Sequence, residues 1–114
     1  MKTCKRGEIW LVSFNPARGS EQKGTRPALI IQNDIGNKYS STTIVAAIST
    51  KVTDYPQDVV ISSNKDNGLK EKSCVKLGQI LTIDKNRLIK RMGVISQKEF
   101  SELDYAIGCS LGTL

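Results

Sequence analysis

The chain has 114 residues, of which 39% are hydrophobic and 25% charged, with a formal charge of +6 and no histidine. That length suits one domain spanning 1–114, which buries roughly two-thirds of its unfolded surface without a staple, and the composition suggests neither disorder nor a membrane span. The absent histidine excludes Ser-His-Asp and Cys-His arrangements and removes the usual general base near neutral pH.

"EIWLVSF" (8–14) is rich in strand formers and alternates at its start, which predicts a strand. "NPARGSEQKGT" (15–25) is a polar loop long enough to carry function. "PALIIQN" (27–33) predicts a short buried strand, and "DIGNKYSS" (34–41) a turn or a single irregular helical turn. "TTIVAAIS" (42–49) is β-branched and almost continuously apolar, the pattern of a central strand. A loop (50–56), a strand "QDVVIS" (57–62) and a polar Asn-Gly segment (63–73) follow. "CVKLGQILTID" (74–84) is two short strands or one bent strand, with Gly78 at a bulge or bend. After a turn at 85–88, "IKRMGVI" (89–95) is the last strand. Ser96-x-x-Glu99 is a capping box that opens a helix. Within it Phe100, Leu103, Ile107 and Leu111 form one apolar stripe for packing on the sheet.

These elements imply a mainly β fold with a C-terminal helix, built as a strongly curved antiparallel sheet or small barrel. No βαβ alternation and no glycine-rich phosphate loop is present, against a Rossmann or P-loop function. Cys4, Cys74 and Cys109 are odd in number and widely spaced, so they read as reduced structural thiols, and no metal or cofactor is expected. "MKTCKRGEIW" is not followed by an apolar stretch of signal-peptide length, and a cytoplasmic location is expected. Residues 1–51 hold eight Lys/Arg against three acids, and Lys85, Arg87, Lys90 and Arg91 form a second cluster. A basic balance of this kind favours a polyanionic partner, nucleic acid first. Trp10, the only tryptophan, lies in a strand and reads as core.

Arg26 sits between Gly24-Thr25 and Pro27. The proline pushes it into extended geometry at the mouth of a strand. Ser49 and Thr50 end the 42–49 run, and Arg26 and Ser49 converge if those two strands are neighbours. On the residues alone, Arg26 reads as a solvated strand-end charge ahead of a catalyst.

The chain resembles the MazF-like (PemK/Kid-type) toxins, sequence-specific RNA endoribonucleases of bacterial toxin–antitoxin pairs. The resemblance is carried by "KRGEIWLVSFNPARGSEQKGTRPALIIQNDIGN" (5–37), "TTIVAAIS" (42–49), "GQILTIDKNRL" (78–88) and the C-terminal helix with "SLG", almost the whole chain. It implies an SH3-like curved barrel of antiparallel strands with a C-terminal helix, usually a homodimer. It also implies single-stranded RNA as substrate in a groove that a cognate MazE-like antitoxin covers. The family's catalytic arginine, the one before the proline, falls on Arg26, and its catalytic hydroxyl on Ser49 or the adjacent Thr50. Ser20, Glu21, Gln22 and Lys23 match the substrate-contacting loop, and Gln79 matches a residue near the bound bases. The implied reaction is metal-independent attack of the 2′-hydroxyl on the adjacent phosphorus, leaving 2′,3′-cyclic phosphate and 5′-hydroxyl ends.

Within that reaction, Arg26 suits charge stabilisation and proton donation; as a base it is poor, because guanidinium stays protonated. Glu21 is a carboxylate candidate for the base, with a solvated loop acid the stronger reading. Lys5, Arg6, Lys23, Lys85 and Arg87 are candidates for phosphate contact. Two other functions stay open on the sequence: a toxin of the same shape that grips a protein such as a topoisomerase, and an inactive module that binds RNA or antitoxin.

Overall fold

Alternate residues of the three central strands feed two separate cores, one on either face of a single sheet. The computed structural model describes residues 2–14 and 24–114. Its elements are β1 (Glu8–Ser13), β2 (Thr25–Ile30), α1 (Asp34–Tyr39), β3 (Thr42–Ser49), β4 (Asp58–Ile61), β5 (Ser73–Asp84), a 3-10 turn (Lys85–Arg87), β6 (Leu88–Val94) and α2 (Gln97–Leu111). The sheet is antiparallel, in the order β4-β5-β3-β2-β1-β6. On one face Ile9, Leu29, Ala46, Ile48 and Leu77 pack with Leu103 and Ala106 of α2. On the other, Trp10, Val12, Ala28, Ile30 and Val45 pack with Cys4 and Leu88. Burial on both faces explains why 42–49 is apolar almost without alternation.

The two edge strands are drawn together by the loop that follows β4. Val94 N–H donates to Asp66 O (2.8 Å), and a Cβ on Gly93 would stand 2.1 Å from that same oxygen. Backbone approach this close admits only glycine. The sheet therefore rolls toward closure, and the expected curved antiparallel sheet with a C-terminal helix is what forms.

Both ends of β2 and the nature of 34–39 differ from expectation for local reasons, while 74–84 takes the second of its two expected forms. β2 starts at Thr25, because Thr25 and Arg26 already pair with Ser13 and Val12. It ends at Ile30, because Ile31 N and Gln32 N both turn to Ile44 O. Residues 34–39 form a true short helix, capped by Asn33 Oδ1 on Gly36 N (2.8 Å). The 74–84 stretch is one strand whose register jumps between Ala46↔Ile80 and Ala47↔Lys76, so Gly78 does lie in a bulge. Leu77 O, at this bulge, accepts from Ser110 Oγ of α2 (2.6 Å). The capping box of α2 is complete, with Ser96 N donating to Glu99 Oε1 (2.8 Å) and Glu99 N to Ser96 Oγ (3.3 Å). Of the helix stripe, Leu103 is fully buried and Phe100 and Ile107 are half-buried. Leu111, expected to pack with them, is 62% exposed; it ends the helix at the rim of an apolar groove with Ile31, Ile44, Ile80 and Ile107.

Two carboxylates tie the N-terminal segment down. Glu8 accepts from Trp10 Nε1 (3.0 Å), Lys5 N (2.8 Å) and Arg91 Nε (2.8 Å). Burial pushes its carboxyl up, but these hydrogen bonds outweigh burial and hold it below the usual carboxylate range. Asp34 is held low chiefly by the Arg6 N–H (2.7 Å). A carboxyl with a lowered folded pKa stabilises above its unfolded value, near 4, and loses that contribution as pH falls through the folded value. With no histidine to titrate, the urea midpoint is expected to hold between about pH 5 and 7 and to fall below about pH 4. A midpoint that rises on acidification contradicts this.

Candidate active site

The two sequence-predicted catalytic residues fall in one row when the β2–β3 register is continued past its last pair. β2 pairs with β3 through Ala28↔Ala47, Leu29↔Ala46 and Ile30↔Val45. Continued by two residues beyond Ala28↔Ala47, where the ladder ends, that register sets Arg26 opposite Ser49. Cross-strand partners project to the same side, so both side chains leave the sheet on the face of the Trp10 and Val45 core. Arg26 is exposed and Ser49 half-buried. The same row continues to Leu88 through Val12 on one side and to Cys74 on the other.

Ser49 Oγ accepts from Lys51 N (3.0 Å). A hydroxyl that accepts this way still has its own hydrogen to donate. Ser49 and Gln79 share one pocket of about 470 Å³, together with Tyr55, Gln57, Asp58 and Lys76. Gln79 lies in the β5 bulge, next to Gly78. A Cβ on Gly78 would meet only Gln57, at 3.7 Å, so the bulge does not depend on a missing side chain there. Thr50 is exposed on the bend after β3 and is not among the residues that line this pocket.

The floor of the pocket was not foreseen. Lys76 and Asp58 are cross-strand partners in β5 and β4, and their side chains are only 13% and 4% exposed. Thr53 Oγ1 donates to Asp58 Oδ2 (2.5 Å) and accepts from Lys76 Nζ, while Tyr55 N donates to Asp58 Oδ2 (3.1 Å). Sequence alone gave one usable signal: a charged residue inside the otherwise apolar "CVKL" run.

The predicted loop residues Ser20, Glu21, Gln22 and Lys23 lie outside the described residues. Phe14 N donates to Gly24 O (2.9 Å), which brings the two ends of that connection together beside Arg26. Of the basic candidates, Arg87 lies at this end of the sheet, donating from Nη1 to Ser13 O (3.2 Å). Two others are corrected. Lys85 is buried, and its Nζ donates to Asn37 O, so it closes the fold and is no surface charge. Arg6 is a staple: it bonds Ile31 O (3.0 Å) and Asp104 Oδ1 (2.7 Å) and lies 5.9 Å from the Phe100 ring centre. Trp10 is 6% exposed, as core, not as a stacking platform.

All three cysteines are free thiols. Burial pushes the Cys4 thiol up, which makes it a poor nucleophile. Among the described residues no group of three or more His, Cys, Asp or Glu is placed to hold a metal ion, and no helix is long and apolar enough to cross a membrane.

The chain is similar to known proteins over nearly its whole length. The chain is 46% identical over 110 residues to the curated Endoribonuclease MazF of Staphylococcus saprophyticus, covering 95% of this chain and 91% of that one. The fold matches MazF from Deinococcus radiodurans with a TM-score of 0.82 at 20% identity, covering 98% and 99% of the two chains. It matches an endoribonuclease from a mycobacterial species, solved in complex with its cognate antitoxin, with a TM-score of 0.81 at 20% identity and 97% coverage of both chains. The family profile of the PemK-like, MazF-like toxins of type II toxin–antitoxin systems matches residues 5–111, and the chain belongs to that family.

Proposed function

We propose that this chain is an endoribonuclease toxin that cuts single-stranded RNA without a metal and is neutralised by a cognate MazE-like antitoxin. The observation that supports the proposal is that β2 and β3 are paired neighbours, with Arg26 and Ser49 each two residues beyond the Ala28↔Ala47 pair on the same side of the sheet. The 46% identical relative is named an endoribonuclease, and a fold relative was solved with its antitoxin bound.

In this reading the 2′-oxygen attacks phosphorus and forms the 2′-O–P bond. The P–O5′ bond breaks, the 2′-hydroxyl proton goes to a base, and the departing 5′-oxygen takes a proton. Arg26 binds the non-bridging oxygens with its fork and neutralises the charge that grows on them. It also supplies the proton-donating side of the reaction. Ser49 donates its hydroxyl hydrogen to a phosphate oxygen. Arg87 meets the backbone as a positioning cation. Gln79 and the loop residues Ser20, Glu21, Gln22 and Lys23 contact the bases. Glu21 is the carboxylate for which a base role is to be tested.

The remaining parts of the reading concern context. Residues 1–114 act as a single domain in the cytoplasm. The apolar groove of Ile31, Ile44, Ile80, Ile107 and Leu111 supports a homodimer, which light scattering on the purified protein measures. Incubation with a long RNA in EDTA tests the central reading. Cutting is expected, with cyclic phosphate ends, and a 2′-deoxy substitution at the cut site is expected to block it. Intact RNA would falsify the reading.

The choice between the two hydroxyls is testable as well. A hydrogen bond to a charged group is worth about 1.5–3 kcal/mol, so Ser49→Ala is expected to slow cleavage by roughly 10- to 150-fold. Thr50→Ala, outside the pocket, is expected to have a much smaller effect. The reverse order in single-turnover rates assigns the role to Thr50.

A further inference from the structure

We infer that Lys76 reads a keto oxygen of one RNA base, so that the pocket it floors prefers guanine or uracil over adenine or cytosine at a single position. The inference rests on the endoribonuclease reading and adds to it a residue that the family resemblance did not single out. Lys76 lines the same pocket as Ser49 and Gln79. An ammonium carries three N–H donors and no acceptor. Among the described residues Thr53 Oγ1 is its hydrogen-bond acceptor, and Asp58 Oδ2 stands 3.9 Å away. Donor capacity therefore remains on the pocket side. Thr53 and the Tyr55 N–H hold Asp58 in place, and Asp58 in turn fixes where the ammonium stands.

The neighbouring carboxylate decides what the ammonium binds. Lys76 and Asp58 are a compensated pair, each largely removed from water. A phosphate drawn to Lys76 would bring a full negative charge up to Asp58, and like charges in a partly buried site repel. A carbonyl oxygen needs only a donor and adds no charge. Guanine O6 and uracil O4 meet that need, and Lys is a known partner of the guanine edge. Adenine and cytosine turn an amino group to the same place, donor against donor, which disfavours them. The rim supplies the other half of base recognition. Tyr55 is 61% exposed, and an exposed aromatic ring is a stacking surface for an unpaired base.

The test is to map cut sites on a long RNA, then to time cleavage of short substrates that differ at one base. For the wild-type protein, one position near the cut is expected to favour guanine or uracil. Lys76→Met is expected to reduce that preference by about tenfold or more, with preferences at other positions retained. Partial misfolding lowers every rate alike and leaves the ratio between substrates unchanged, so the ratio is the readout. Lys76→Met combined with Asp58→Asn removes both charges, avoids an orphaned carboxylate, and is expected to show the same reduced ratio. If the wild-type protein cuts RNA and both variants keep its base preferences, the inference is overturned. A uniform loss across substrates with a shallower salt dependence marks a phosphate contact and overturns it too. If the wild-type protein cuts nothing, the endoribonuclease reading itself fails, and this one with it.

Discussion

Arg26→Ala is expected to lower kcat for RNA cleavage by about 10²- to 10³-fold, the usual loss when one stabiliser of transition-state charge is removed. The reason lies in where the fold puts the side chain. Arg26 is exposed at the second residue of β2, and its backbone pairs with Val12 whatever the side chain is. Removal of the guanidinium therefore leaves the ladder and both cores in place, and the melting temperature is expected to stay within a few degrees. Arg26→Lys keeps the charge and loses the planar fork, so it is expected to recover only part of the rate. Because charge grows on the phosphate in the transition state, the loss falls on kcat more than on KM. A variant that melts normally and cuts at the wild-type rate removes Arg26 from the mechanism, and with it the proposed role of the Arg26–Ser49 row.

Much of this site was legible in the sequence, because it is built from local signals. A proline fixes Arg26 as extended, a β-branched run ends at Ser49, and a glycine within "CVKLGQILTID" marks the bulge that presents Gln79. The capping box marked the start of α2 to the residue. What stayed hidden depends on pairing between distant segments. Lys76 becomes part of the pocket only because β4 sets Asp58 against it and the 50–56 loop brings Thr53. Charge counting also failed for two of the basic candidates. Lys85 and Arg6 look like any other surface cations in the sequence, yet one is sealed against Asn37 and the other bridges Ile31 to α2. Composition gives the sign of the surface field but does not say which cations make it.

The "QNDIGN" segment (32–37), part of what marks the family, is the second place where a large effect is expected. Asn37 is 2% exposed and is bonded on every side. Its Nδ2 donates to Gln32 O (2.9 Å) and Asp34 Oδ1 (3.1 Å), and its Oδ1 accepts from Gln32 Nε2 (3.1 Å) and Thr43 Oγ1 (2.7 Å). Its carbonyl receives Lys85 Nζ. This network anchors α1 to the start of β3. Ser49 ends the same strand six residues beyond Thr43, about 20 Å away at strand rise. The network therefore acts on stability. Asn37→Ala takes away the oxygen acceptor of the Thr43 hydroxyl, which is fully buried and keeps only the weaker Cys4 sulfur as a partner, and it leaves Gln32 with one acceptor fewer. At about 1–3 kcal/mol for each orphaned group the loss should be about 2–4 kcal/mol, or roughly 10–15 °C in melting temperature. Thr43→Val in the same chain removes that hydroxyl, so the double variant is expected to lose less than the sum of the two single losses. Calorimetry on the four proteins of that cycle decides the matter. If the losses simply add, or if Asn37→Ala melts within about 2 °C of wild type, the two side chains are not coupled and the segment must be explained by something other than the buried network.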